Sequence, residues 1–240
     1  MEPWAQSLAG RGKRKLSSIA GRATNLAYGL AHRFDESRYC IVPGYRHRVL
    51  ACYFDDTEND DEWQREVYLY ARHVMMERQF ARVYDVGCGS GFKLMKYLGE
   101  FETVGIDVAA TVEFLRNKYP NRRWEVSGTS ARYGAAPDLL VCADVIEHVA
   151  DPDHLIALIK DAGPQFAVLS TPDRNLMYPP ASAHMFGPPR NPAHLREWAF
   201  EEFERYISKS FSIIDHIISN HDQGTQLIFC TPTTSGAVGA

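Results

Sequence analysis

The side chains best suited to chemistry gather in a few short stretches. In the run Arg82 to Leu94, the acid Asp85 stands two residues ahead of glycines at Gly87, Gly89 and Gly91. Glycine at alternate positions lets a backbone turn with φ > 0 and lets a ligand approach without meeting Cβ atoms. A helix starting just behind such a loop points its first N–H groups at whatever lies over it. An acid at the strand end facing the loop suits a ligand that carries an ammonium group. Asp107 follows about 20 residues later, where a carboxylate can accept hydrogen bonds from the vicinal hydroxyls of a ribose; it is also placed to cap the next helix. Asp144, Glu147 and His148 close a second apolar run, and His194 stands in a proline-rich stretch beyond it. Histidine, ordinarily titrating nearest neutrality, suits the removal of a proton from a hydroxyl.

Positioning these groups requires strands that end at one edge. The pattern predicts a strand at 82–86, the glycine loop, and a helix from Phe92 to Leu98 stopped near Gly99. A strand at 103–108, a helix at 109–119, a strand at 123–127 and the loop Gly128-Thr129-Ser130-Ala131 come next. The near-continuous apolar run from Pro137 reads as a strand buried on both faces, with a helix at 153–159 broken by Gly163-Pro164. A fifth strand at 165–170 opens onto Thr171-Pro172-Asp173. Residues 174–196 are too rich in proline for regular structure, and so long a loop is read as a substrate-binding excursion. A helix at 199–208 and strands at 211–218 and 225–231 finish the chain. Upstream, a helix at 60–79 is expected to take its first turn from the acidic run 55–62. Strands alternating with helices at these lengths imply a parallel sheet.

The bulk composition sets limits. With 240 residues and 45% hydrophobic content the chain can bury one sizeable core, which implies one elaborated domain. A net charge of −4 argues against a general nucleic-acid binder. No run approaches the ~18 apolar residues of a membrane span, and no secretory signal is apparent. Five scattered cysteines suit reduced thiols in a cytoplasm. Arg11, Lys13, Arg14, Lys15 and Arg22 make the first 38 residues a basic arm, solvated or resting peripherally on an anionic surface.

The D-x-G-x-G-x-G pattern of Asp85 to Gly91 resembles the first motif of class I S-adenosylmethionine-dependent methyltransferases. Its third glycine comes one residue too early for the dinucleotide fingerprint, which has no place for Asp85, so a nicotinamide-dependent oxidoreductase is disfavoured. The ending Asp144-Val145-Ile146-Glu147-His148, followed by Asp151-Pro152, resembles the fourth motif of the small-molecule branch, including ubiquinone-biosynthesis O-methyltransferases. His194-Leu195-Arg196-Glu197-Trp198 resembles a segment of bacterial methyltransferases associated with sugar or glycan tailoring.

This resemblance spans roughly residues 80–231. It implies an α/β fold: a Rossmann-like seven-stranded, mostly parallel sheet with helices on both faces and an antiparallel C-terminal strand pair. Residues 1–79 would form an arm and helical lid, with Tyr53, Phe54 and Trp63 over the cofactor. Residues 80–232 would be the core, with a substrate loop at about 174–198 and a tail at 233–240. The implied cofactor is S-adenosyl-L-methionine, held by Asp85, Gly87, Cys88, Gly89, Gly91, Asp107, Val108, Thr129, Asp144 and Val145. Thr129 and Ser130 stand where many members carry an adenine-reading acid. His148, His194 and Glu147 are the candidate catalytic groups. Glu147, His148 and another carboxylate can in principle hold Mg²⁺, but no full ligand set is legible and no metal is expected. The implied reaction is O-methylation of a small molecule such as a saccharide. N- or C-methylation and a catalytically silent cofactor-binding module are the alternatives.

Overall fold

The computed structural model describes residues 36–50, 52, 55–58, 60–128 and 133–233. The expectations for most of the basic arm, for Tyr53 and Phe54, for Thr129 and Ser130, and for nearly all of the tail lie outside the described residues.

Strands β1 (Arg82–Val86), β2 (Glu102–Asp107), β3 (Arg123–Val126), β4 (Leu139–Ala143), β5 (Phe166–Pro172), β6 (Phe211–Asn220) and β7 (Thr225–Pro232) form one sheet. Their order is β3-β2-β1-β4-β5-β7-β6. The first five are parallel, and β7 runs antiparallel between β5 and β6. The expected Rossmann-like sheet with an antiparallel C-terminal pair is therefore present. Strand order reverses between β1 and β4, so the β1 loop and the β4 end open into the same crevice, where ligands of open α/β sheets bind.

Alternation along each strand sends side chains to two cores. Tyr84, Val86, Leu140 and Cys142 pack with Ile156 and Ile159 of α4 (Pro152–Asp161) and with Phe203, Tyr206 and Ile207 of α6 (Phe200–Ile207). Val83, Leu139 and Val141 pack on the other face with α1 (Arg65–Glu77), α2 (Phe92–Leu98) and α3 (Ala109–Lys118), through Val67, Leu94, Leu98, Val112 and Leu115. Each such aliphatic side chain contributes about 1.5–3 kcal/mol on burial. The α4 start follows local rules: Asp151 accepts from the Asp153 N–H, and Pro152 occupies the first turn.

Two elements depart from expectation. The helix expected from residue 60 begins only at Arg65, because Gln64 adopts φ 65° and donates from Nε2 to the Ala143 carbonyl at 3.1 Å. The acids ahead of it dock on α2 instead of capping a helix: Asp61 pairs with Lys96 and accepts from the Tyr97 hydroxyl at 2.7 Å. The proline-rich excursion also contains regular turns, α5 (Arg174–Met177) and a 3₁₀ turn at Ala183–Phe186. Side chains that cap override the local composition here: Asp173 accepts from the Asn175 N–H, and Ser182 from that of His184.

Candidate active site

A cavity of about 700 Å³ opens at the carboxyl ends of β1, β2, β4 and β5, within the ~300–1,000 Å³ usual for small-molecule sites. Its lining includes Gly87, Gly89, Asp107, Val108, Asp144, Val145, Glu147, His148 and His194. Asp85, Cys88 and Gly91 do not line it.

On the β1–β2 side the glycine loop is shaped by close approach. Gly87 has φ +77°, and a Cβ there would lie 2.3 Å from Val145 Cγ2. Gly89 has φ +51°, and a Cβ would fall 1.9 Å from Asp56 Oδ2. Asp107 Oδ2 accepts from the Gly89 N–H at 2.9 Å, and Oδ1 from the Val108 N–H at 2.7 Å. It thus joins the loop to the end of β2; α3, whose N-cap is Val108, has no side-chain cap. A carboxylate has about four lone-pair directions, so acceptor capacity remains toward the cavity. Burial raises the Asp107 pKa, opposed by those two backbone donors.

Asp85 lies beneath this loop with no exposed surface. Its Oδ2 accepts from the Tyr68 hydroxyl of α1 at 2.9 Å, while Oδ1 has no hydrogen-bond partner among the described residues. Burial, only partly offset by the Tyr68 bond and the charge of Lys93, lifts its carboxyl to about 7.

On the β4–β5 side the chain leaves β4 through Asp144, at φ +51°. Aspartate tolerates the left-handed region better than bulkier residues, and Ser170 of β5 holds it: the Ser170 hydroxyl donates to Oδ1 at 2.6 Å. The following 3₁₀ turn, Ile146–His148, carries Glu147 and His148 into the cavity wall. Glu147 is fully buried. Its Oε2 accepts from the Thr171 hydroxyl at 3.0 Å, and Oε1 lacks a hydrogen-bond partner among the described residues. Burial, with Asp144 adding like charge, raises its pKa well above the ordinary range.

The His148 Nδ1 donates to the Ala193 carbonyl at 3.0 Å, leaving Nε2 toward Glu147 Oε1 at 4.0 Å. Burial, reinforced by His194, lowers the His148 pKa to about 3, so the ring is neutral near pH 7.

His194 packs edge-on against His148, with centroids 4.8 Å apart. Its Nδ1 lies 2.6 Å from Glu197 Oε1, and its Nε2 lies 2.9 Å from Asn191 Nδ2. Asn191 Oδ1 already accepts from the Ala193 N–H at 3.0 Å. That orients the amide so that Nδ2 donates to His194 Nε2, and the His194 proton sits on Nδ1 facing Glu197.

Tertiary stitching makes this pairing. The Leu195 N–H donates to the Glu147 carbonyl at 2.8 Å, and buried Arg196 donates to the carbonyls of Val149 and Ala150. From the other side, Tyr39 O accepts from Trp198 Nε1 and the Tyr45 hydroxyl accepts from the Glu197 N–H. The N-terminal segment thus braces the excursion, while Trp63 stands half-exposed at the cavity wall. Sequence reasoning gave no role to Thr171, Ser170, Asn191 or Glu197 in this site. The three-residue spacing of His194 and Glu197 was the one local signal.

A glycine-cradled cavity at the switch point, with a cavity-lining acid at the end of β2 and this sheet order, defines a class I methyltransferase fold. A family model described as a methyltransferase domain matches residues 57–213, and the chain belongs to that family. S-adenosylmethionine is its cofactor. The methyltransferase domain of a bacterial CtHen1 is 22% identical, with a TM-score of 0.50 over 71% of this chain and 99% of its own. A SAM-dependent methyltransferase from Aquifex aeolicus is 17% identical, with a TM-score of 0.51 over 75% of this chain and 100% of its own. TnmH is 18% identical, with a TM-score of 0.50, and the match covers 71% of this chain and 56% of TnmH, about half its length. At these identities the likeness concerns the fold. No curated protein matches the sequence. Among the described residues, no helix is long and apolar enough to cross a membrane.

Proposed function

We propose that this methyltransferase methylates a hydroxyl oxygen of a small molecule, with a saccharide or a polyhydroxylated natural product as the acceptor. The observation that carries the reading is the convergence of Glu147, His148 and His194 on one wall of the cavity, beside Val145 and across from the glycine loop. The cofactor supplies an electrophilic methyl carbon on a sulfonium. Gly87 and Gly89 leave room for it, and the remaining acceptor capacity of Asp107 suits its ribose. In-line displacement asks the protein mainly for alignment and exclusion of water. As the hydroxyl oxygen takes the methyl, the C–S bond breaks, its electron pair returns to sulfur, and the hydroxyl proton passes to a base.

Of the two histidines, His194 suits that proton better. Glu197 stands behind Nδ1 and stabilises the imidazolium that forms, as a carboxylate does behind a general-base histidine, and Asn191 yields Nε2 to the acceptor. His148, held neutral, orients the acceptor. The test is transfer of labelled methyl from S-adenosylmethionine to a panel of monosaccharides, glycosides and polyhydroxylated aromatics. Methyl ether products are expected. His194→Ala should lower turnover at least ~100-fold with cofactor affinity retained, and added imidazole should restore part of it. Methylamine or C-methyl products would overturn the reading, and a His194→Ala enzyme of normal rate would remove the base.

A further inference from the structure

The excursion side of the cavity carries a positive charge that the fold does not use. Beyond His194 the wall continues through Met177, Tyr178, Arg190 and Asn191. The backbone there is held in place: the Arg190 N–H donates to the hydroxyl of buried Tyr178 at 2.9 Å, the Cys52 N–H donates to the Pro192 carbonyl at 2.8 Å, and the Pro189 carbonyl accepts from Arg48. The neighbouring arginines are spent on such contacts. Arg46 donates to the Gly187 carbonyl, Arg48 also to that of His194, Arg174 to Glu202, and Arg196 to Val149 and Ala150. Arg190, by contrast, is exposed, and its guanidinium has no hydrogen bond or ion pair among the described residues. Its charge acts on the cavity wall: burial and the Glu197 charge raise the Tyr178 pKa, and the Arg190 guanidinium opposes them. Arg190 also adjoins Asn191, whose Nδ2 lies 2.9 Å from His194 Nε2. A small molecule held by this guanidinium therefore has its hydroxyls near the base.

We propose that Arg190 binds a carboxylate of the acceptor, which makes the substrate a hydroxy acid of the uronic-acid kind. A guanidinium presents paired N–H donors that match the two oxygens of a carboxylate. One such fork balances a monoanion, whereas a phosphate dianion calls for further cations or a helix N-terminus. The cavity supplies little more for an anion. Asp144, Glu147 and Glu197 line it with carboxyl groups, and Lys93, directly behind the glycine loop, donates to the Asp60 carbonyl at 3.1 Å. The inference rests on the hydroxyl-acceptor reading and narrows its substrate class. Anchored at Arg190, the ring is oriented so that one hydroxyl meets His194, and the anchoring supplies part of the alignment that in-line transfer needs.

The experiment titrates full-length protein, saturated with S-adenosylhomocysteine, with methyl glucuronoside, methyl glucoside and glucose 6-phosphate, in wild type and in Arg190→Gln. The glucuronoside should bind at least ~10-fold tighter than the glucoside, which differs from it only at the carboxylate. Arg190→Gln should abolish that difference while its unfolding midpoint and its affinity for S-adenosylmethionine stay as in wild type. Equal binding of acid and neutral glycoside, binding of the acid weaker than about 10 mM, or a preference that survives Arg190→Gln overturns the inference. Tighter binding of the phosphate overturns the carboxylate assignment in favour of a phosphate ester. A variant that loses S-adenosylmethionine affinity assigns the guanidinium to the carboxylate of the cofactor, and that too overturns the inference. The binding readout needs no turnover, so it stands apart from the hydroxyl-acceptor reading: methylamine or C-methyl products would overturn that reading and leave a carboxylate preference at Arg190 as measured.

Discussion

Replacing Asp85 with asparagine should flatten the dependence of folding stability on pH. Asp85 has no exposed surface, a single hydrogen bond from Tyr68, and an Oδ1 without a hydrogen-bond partner among the described residues. Burial is the largest cause lifting its carboxyl from the ordinary 3.8 to about 7. Because the folded state holds this proton more tightly than the unfolded chain, its stabilisation is complete below pH ~4 and is lost as pH rises through about 7. Between pH 5 and pH 8 the wild type should therefore lose about 2–3 kcal/mol relative to Asp85→Asn. The variant carries its own penalty, since its amide buries an N–H with no acceptor, costing about 1–3 kcal/mol at every pH. The slope rather than the absolute stability is thus the diagnostic quantity. Urea unfolding of both proteins at pH 5, 6, 7 and 8 measures it. Parallel stability curves would show that Asp85 is ionised in the folded protein throughout, and the reasoning from burial would fail.

Other consequences follow from the same contacts. Asp107→Ala should weaken S-adenosylmethionine about 10- to 100-fold in titration calorimetry, the scale of losing charge-assisted hydrogen bonds; an unchanged Kd removes the ribose role. Gly87→Ala should destabilise the protein by about 2 kcal/mol, from a positive φ and a Cβ driven into Val145. Combined with Val145→Ala it should show a coupling of at least ~0.5 kcal/mol in denaturation, and strict additivity would deny the clash. Arg196→Ala strips the donors from the Val149 and Ala150 carbonyls and should cost about 2–4 kcal/mol in thermal or chemical unfolding; a loss below ~1 kcal/mol would mean that other contacts hold the excursion in place.

Local pattern alone determined the strand, loop and helix around Asp85 to Gly91, the placement of Asp107 and of Asp144 to His148 at strand ends, and the two final strands, whose antiparallel pairing only the resemblance to the family implied. Those features depend on neighbours in the chain: glycine spacing, apolar runs and caps act over a few residues, and a parallel sheet brings its strand ends to one edge. The tertiary structure decided what the chain order could not express. Asp85 turned away from the cavity because the pleat and Tyr68 of α1 direct its side chain beneath the loop. The helix start moved to Arg65 because Gln64 reaches across to Ala143, and the acids before it found Lys96 and Tyr97. His194 met His148 because hydrogen bonds from Leu195 and Arg196 fasten a distant loop to the β4 turn, while Tyr39 and Tyr45 brace it from outside. Each of these is a long-range contact whose partner is chosen by packing, so the convergence of Glu147, His148 and His194 on one wall exists only once the sheet has closed around them.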